Sequence, residues 1–336
     1  MKSCHLALVG ATGVVGQEIL RVLEERELPL SDLTVLASSH SEGTRVEFRD
    51  RRYVVRLLTK DALAGVDLAI FATSPEASKD YVPHAVTAGA VVIDTSSAFR
   101  LDPTVPLCVP ELNASSLRQH RGIVAMPHSL TTQVALALAP LHAAATLKRV
   151  VISTYQAISG QGRLAVQEFD QQLRDLLNFR PPQVHAFPHQ IAFNCLPQCG
   201  EFVADGYTAD EMALIDETRR LLDVPDLPVT ATAVRVPLAH GDSAAVTIET
   251  VRPLNASEAQ GLLERAPGVE VEDDYTRLYY PFATRANGQD VVFVGRIRPD
   301  HSVPHGLHLW IVADNLRKGA ALNAVQIAEH LLHMRP

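Results

Sequence analysis

Leu6-Ala7-Leu8-Val9-Gly10-Ala11-Thr12-Gly13-Val14-Val15-Gly16 decides the reading of the chain. A short apolar run stops at a glycine turn, and Val14, Ile19, Leu20, Val22 and Leu23 then recur at helical spacing. Strand, glycine turn, helix is the arrangement that receives a dinucleotide. Glycines let a pyrophosphate approach the backbone amides at a helix N-terminus, where unpaired N–H groups and the helix dipole favour an anion. A glycine turn alone also closes an empty βα unit; the strand before it and the helix after it favour the nucleotide. Gly10, Thr12, Gly13, Val14, Val15 and Gly16 are the expected contacts.

The next strand, Leu33 to Ala37, runs into Ser38-Ser39-His40-Ser41 rather than into the acidic residue that binds a free ribose 2′-hydroxyl. This favours a 2′-phosphate, hence NADP over NAD, with Ser38 and Ser41 as donors; the competing reading is a plain serine-rich turn. Strand candidates Val66 to Phe71 and Ala90 to Asp94 alternate with a helical stretch near Glu76 to Ala88. The alternation predicts an α/β fold with a Rossmann-like, doubly wound parallel sheet whose ligands sit at the strand carboxyl ends. Thr73-Ser74 and Thr95 to Arg100 fall there.

At 336 residues the chain is long enough for two domains. With 47% hydrophobic and 20% charged residues, disorder is excluded as the main theme. A net charge of −8 supplies no basic field for nucleic acid or an anionic membrane. No apolar run approaches the roughly 20 residues of a spanning helix, and the start shows no signal-peptide pattern, so the expected location is cytoplasmic. Cys4, Cys108, Cys195 and Cys199 are read as buried or partly buried free thiols. No metal is expected: Cys195-x-x-x-Cys199 lacks a second pair, and Pro188 separates His185 from His189.

Ser129 begins a long apolar helix through Leu141, where a hydroxyl is either an N-cap or a reactive group assisted by the helix dipole. Lys148 to Thr154 reads as a strand, followed by Gln156, Ser159-Gly160-Gln161-Gly162 and a helix to about Leu177. Strands around Val229 to Pro237, Ala244 to Val251 and Val291 to Ile297 suggest an antiparallel sheet, suited to a second lobe or a dimer face. Leu309 to Ala313 is a further strand, and Asp314 to His333 a polar turn and amphipathic helix.

Together these stretches resemble the aspartate-semialdehyde dehydrogenase family from end to end. The resemblance rests on residues 10–16, Ile93-Asp94 with Ser96 to Arg100, Val151 to Gly160, Arg235-Val236-Pro237, and Val312 to Glu329. It implies an NADP-binding domain over 1–128, completed by a C-terminal helix over 315–336. An α+β substrate and dimerisation domain over 129–314 would form a homodimer. Members reduce β-aspartyl phosphate with NADPH: a cysteine thiolate displaces phosphate, the thioester takes hydride, and a histidine moves protons. By the same resemblance Gln156 orients the substrate, Arg235 binds its carboxylate, Arg100 binds phosphate, Glu217 faces the amino group, and Asn315, with Ser159 and Gly160, meets the cofactor.

Where the family reads Asn-Cys, this chain reads His128-Ser129, and where it reads Gly-His-Ser, this chain reads Gly241-Asp242-Ser243. Lesser departures are His40, Ser74-Pro75, Thr95 and Arg220. A thiol ionises near pH 8.5 and lower at a helix N-terminus, whereas a serine hydroxyl attacks only with a base in reach, and Asp242 is a weak base. Cys108 reads as a small apolar residue. The expectation is a non-catalytic or regulatory dimer, of two copies or of one copy with an active paralogue, that keeps a small acidic or phosphorylated ligand. The alternative is an NADP-dependent oxidoreductase on an aldehyde or acyl compound, using Ser129 with His128 or His240.

Overall fold

Alternation along Cys4–Val9 (β1) sets the first layer arrangement. Leu6 and Leu8 enter a core with Ile19, Leu20 and Leu23, while Ala7 and Val9 enter one on the opposite face with Val82 and Ala85. A strand covered on both faces belongs in a parallel sheet. The computed structural model describes residues 3–334. After β1 come Val14–Glu25 (α1), Leu30–Ala37 (β2), the hairpin Arg45–Phe48 (β3) and Arg51–Val54 (β4), and Arg56–Leu57 (β5). Leu68–Phe71 (β6), Pro75–Thr87 (α2), Val91–Asp94 (β7), Pro110–Asn113 (α3) and Ile123–Ala125 (β8) follow. The sheet order is β5-β2-β1-β6-β7-β8, with every pairing parallel, the doubly wound arrangement expected.

The described residues divide into two compact units, one running to His128 and resuming at Ala320, the other Ser129–Gly319. The C-terminal segment thus rejoins the first unit at Ala320 rather than at Asn315. Asn315 is held by Ser159 and Gly241, and Gly319 packs on Ser129, so the intervening turn stays with the second unit. Leu322, Val325 and Leu331 complete the core beside α1, and Arg26 forks onto both oxygens of Glu329 at 2.7 Å. That pairing is bidentate and partly shielded, the geometry in which an ion pair contributes most.

The second unit contains Ser129–Ala145 (α4), Leu147–Gln156 (β9), Arg163–Leu177 (α5), Ala209–Leu221 (α6), Val229–Arg235 (β10) and Asp242–Thr250 (β11). Ala256–Leu263 (α7), Val269–Val271 (β12), Ala283–Ala286 (α8), Val292–Asp300 (β13) and Gly306–Ala313 (β14) follow, and Leu322–Met334 (α9) is the helix of the first unit just described. The sheet order is β10-β9-β11-β14-β13-β12. It is mixed, not antiparallel as the strand spacing suggested: β10 lies parallel to β9, and β12 to β13. A crossover carrying α5 and α6 returns the chain in the direction of β9, and direction leaves no mark on alternation. Val150, Ile152, Thr154 and Gln156 of β9 point to the buried face, and Val151, Ser153 and Tyr155 to a half-open one. The polar turn expected before the last helix is a short π-helix over Arg317–Ala321, and α9 is buried along most of its length rather than on one stripe.

Candidate functional site

The glycine turn of the first unit has no space for side chains. Gly10 has φ +85°, and a Cβ there would lie 2.0 Å from the Ala72 carbonyl oxygen; one on Gly16 would lie 2.1 Å from the Gly10 oxygen. Gly13 caps α1 with no side-chain hydrogen bond and no acidic residue in the first turn, so the helix amides stay open to an anion. Val14 and Val15 stand half-buried behind it. Thr12 donates to Ser41 Oγ at 3.0 Å, tying the turn to the segment after β2, where Ser38 and His40 are exposed. These residues fit a pyrophosphate and a nearby polar group.

At the end of β7, Asp94 is wholly buried and accepts from Ser78 Oγ at 2.7 Å, Ser96 Oγ at 2.7 Å and the Ser96 amide at 3.3 Å. Burial pushes its carboxyl above the ordinary range, against these hydrogen bonds and the charge of Arg100. Arg100 is itself buried and donates to the Thr95 carbonyl at 2.8 Å. Its guanidinium shapes this loop, whatever anion it also meets.

In the second unit a polar row crosses the buried face of the sheet. Arg235 on β10 pairs in register with Gln156 on β9. One position beyond the pair Ser243 and Tyr155, Asp242 on β11 flanks Gln156 from the other side. All three are almost fully buried. Arg235 Nη1 donates to the Ala157 carbonyl at 2.7 Å, and Asp242 Oδ1 accepts the Ala157 amide at 2.7 Å. The two charged groups grip one peptide residue from opposite strands. Among the described residues Arg235 has no carboxylate partner, and Gln156 Nε2 is buried with no acceptor. The guanidinium thus makes no direct ion pair, and the Asp242 carboxylate stands on the other side of Ala157.

Ser129 opens α4 above this row. Its hydroxyl donates to Asp242 Oδ2 at 3.4 Å, and among the described residues that is its one side-chain hydrogen bond; neither His128 nor His240 reaches it. Gly319 closes in from the far side, where a Cβ would stand 2.5 Å from Ser129 Cβ. Asp314 Oδ1 accepts the amides of Leu316 and Arg317 and so fixes the turn carrying Asn315. The Asn315 carboxamide accepts from Gly241 at 3.1 Å and donates to Ser159 at 3.0 Å, so it binds two loops together. Gly160 lies within this loop, beside the Arg235 guanidinium. Glu217 is buried on α6.

Sequence reasoning missed three residues. Gln133 lies one turn beyond Ser129 with both carboxamide atoms buried and unpartnered, and Thr154 Oγ1 is in the same state one row behind Gln156. A polar residue one helical turn after the serine, inside an apolar helix, was the available signal. Glu211 closes a capping box with Thr208 and accepts the Ala233 amide at 2.8 Å, anchoring α6 to the edge strand. Of the cysteines, Cys195 is exposed, contrary to the expectation of buried thiols, because it falls in an irregular surface segment. Cys199 lies near the charges of Arg235 and Asp242, but burial pushes its thiol up to about 12, so it supplies no thiolate. Among the described residues no cluster fits a metal ion, and no helix is long and apolar enough to cross a membrane.

Comparison with known proteins assigns the two units to one class of enzyme. Residues 5–120 match the family "Semialdehyde dehydrogenase, NAD binding domain", and residues 138–318 match "Semialdehyde dehydrogenase, dimerisation domain". An aspartate-semialdehyde dehydrogenase of Legionella pneumophila is 49% identical over 330 residues, covering 97% of this chain and 95% of that protein. One from Bacillus subtilis is 44% identical, covering 98% of each. The crystal structure of aspartate semialdehyde dehydrogenase II from Vibrio cholerae superposes with a TM-score of 0.96 at 40% identity, over the full length of each chain. The chain belongs to the aspartate-semialdehyde dehydrogenase family, and with it carries a nucleotide-binding domain and a dimerisation domain.

Proposed function

We propose that this family member keeps the nucleotide and anion framework but does not carry out the reductive dephosphorylation of β-aspartyl phosphate. The observation that carries the reading is the bond from Ser129 Oγ to Asp242 Oδ2 at 3.4 Å, at the head of α4. A thiol there would be ionised in part near neutral pH by the helix dipole; a hydroxyl would not. Asp242 is a poor acceptor for a serine proton, and its other oxygen already holds the Ala157 amide. An oxygen ester, if formed, would also take hydride less readily than a thioester. The alternative reading with a Ser129–histidine pair finds no imidazole within hydrogen-bond reach of the hydroxyl.

The framework itself is well supported. The bare α1 terminus suits a pyrophosphate, and Ser38 to Ser41 in place of an acidic residue directly at the end of β2 favour NADP over NAD. When bound, that cofactor would supply or accept hydride. Arg235 offers a site for one carboxylate of a small acidic or phosphorylated ligand. The half-open sheet face suits a second copy of the chain or an active paralogue: a groove of about 360 Å³ lies there, lined by Ala245, Tyr280, Phe282, Arg296 and Trp310 among others. Such a dimer would be regulatory or scaffolding in role.

The test is an assay of purified protein with NADPH and β-aspartyl phosphate. The rate should fall at least about 10⁴-fold below that of a cysteine-bearing relative, the combined loss of nucleophile and general base. A rate within tenfold of the relative would reject the reading.

A further inference from the structure

The segment after β2 is tied down by its backbone and leaves its side chains unused. The Ser41 amide donates to the Ser38 carbonyl at 3.0 Å, the Thr44 amide to the Ser41 carbonyl at 3.2 Å, and the Gly43 amide to the Val55 carbonyl at 2.9 Å. Thr44 Oγ1 adds a bond to the Ser41 carbonyl at 2.6 Å. The segment is also fixed against the glycine turn: the Gly10 amide donates to the Leu36 carbonyl at 2.8 Å, and Thr12 Oγ1 to Ser41 Oγ at 3.0 Å. Ser41 accepts there and keeps its own hydroxyl proton for another acceptor. Ser38, Ser39 and His40 are exposed, and among the described residues none of their side chains has a hydrogen-bond or ionic partner. Three hydroxyls and one imidazole thus border the turn that receives an anion.

Charge decides what such a row can discriminate. Hydroxyls donate to a phosphate at any pH, whereas an imidazole is the side chain whose charge ordinarily changes between about pH 5 and 8. The other charged groups around the segment do not take its place. Glu42, two residues on, is exposed and repels an anion. On α1 the first charged residues, Glu18 and Arg21, pair with each other. Arg45 opens β3, whose Val46 and Phe48 turn to the core, so it lies on the outer face of the hairpin with Glu47, the partner of Arg52 at 3.0 Å. Arg56 on β5 pairs in register with Leu36 and shares the sheet face that packs on Val82 and Ala85, opposite the face covered by α1. His40 is the one side chain between Ser38 and Thr44 able to carry positive charge.

We propose that His40 sets the nucleotide selectivity of this chain and makes it depend on pH: as imidazolium it joins the serine hydroxyls on the 2′-phosphate of NADP, and as neutral imidazole it leaves the hydroxyls alone there. A phosphate monoester takes its second charge at about pH 6. Dianion and imidazolium therefore coexist best between about pH 6 and 7, and the preference for NADP over NAD declines above that window as the cation is lost. NAD carries no such phosphate, so its affinity should hold across the range. The inference rests on the NADP reading proposed above and adds the residue and the condition that control it.

Calorimetric titration of the full-length protein with NADP and with NAD, at about pH 6.5, 7.5 and 8.5 and constant ionic strength, tests it. The preference for NADP, read as the ratio of the two dissociation constants, should fall at least about fivefold from the lowest pH to the highest, through NADP alone. His40→Ala should give a small preference at every pH, and His40→Arg a large one at every pH, because a guanidinium keeps its charge. Arg45→Gln and Arg56→Gln should leave the wild-type profile in place. The wild-type profile decides the matter even if a variant fails to fold. A preference for NADP of constant size overturns the inference and leaves the NADP reading standing. So does a pH-dependent preference that persists in His40→Ala, or one that disappears in Arg45→Gln or Arg56→Gln. Equal affinity for the two nucleotides at every pH, or binding of neither, removes the NADP reading and the inference together.

Discussion

Two buried polar regions divide the labour of this molecule. At Asp94 a buried carboxylate meets donors from Ser78 and Ser96, and every oxygen is used. At Arg235 a buried guanidinium has one backbone acceptor, and its neighbours Gln156, Thr154 and Gln133 carry buried atoms with no partner among the described residues. The first region closes on itself and shapes a loop. The second is left incomplete, at a cost that folding alone does not recover, and only a bound group or ordered water completes it.

Restoring chemistry to the second region should give the largest change. Ser129→Cys with Asp242→His supplies a thiol at the head of α4 and an imidazole beside it, and NADPH oxidation with β-aspartyl phosphate should rise at least about 10²-fold. No rise would mean that the pocket has drifted together with its two reactive groups. The contrast sharpens with one substitution in each region. Ser78→Ala removes a donor from a buried carboxylate and should cost about 1–3 kcal/mol in urea unfolding. Arg235→Met should stay within about 1 kcal/mol of the parent protein, because it removes a charge that lacks a counter-ion. It should nonetheless weaken carboxylate binding tenfold or more.

Much of the first unit was legible because its signals are local. Gly10 to Gly16 announce a turn no side chain could fill, and β1, β6 and β7 are short apolar runs divided by a helix of the right length. The short strands β3, β4 and β5 carry too few residues for alternation to show. The second unit hid its sheet order, since nothing in β9 or β10 reveals that they run parallel. Ser129 is marked by its place at the head of an apolar helix, whereas the roles of Arg235 and Gln156 come through resemblance. Gln133 and Thr154 were passed over because a single polar residue among alanines and leucines looks like core until its partners are counted.

Smaller effects follow from titration and exposure. Burial holds the Asp94 carboxyl above its unfolded value, so the folded state binds the proton more tightly. Stability should therefore fall as pH rises from about 4 through the raised value, by at most about 1.4 kcal/mol per pH unit for this group. Asp94→Asn should flatten that slope in thermal scans between pH 4 and neutrality. In the second region the corresponding probe is reactivity. Brief alkylation of the native protein near pH 8, read by peptide mass, should label the exposed Cys195 and spare Cys199, whose thiol burial pushes up to about 12. Labelling of Cys199 at a comparable rate would reopen the question of a substitute thiol near Arg235.

Under the proposed function, residue 129 forms no acyl intermediate. Excess protein mixed with β-aspartyl phosphate and NADPH, quenched over seconds to minutes and examined by intact and peptide mass, addresses it directly. An unmodified Ser129 peptide with unchanged NADPH absorbance is the expected result; an acyl adduct on Ser129 that forms and decays with stoichiometric NADPH oxidation would contradict it.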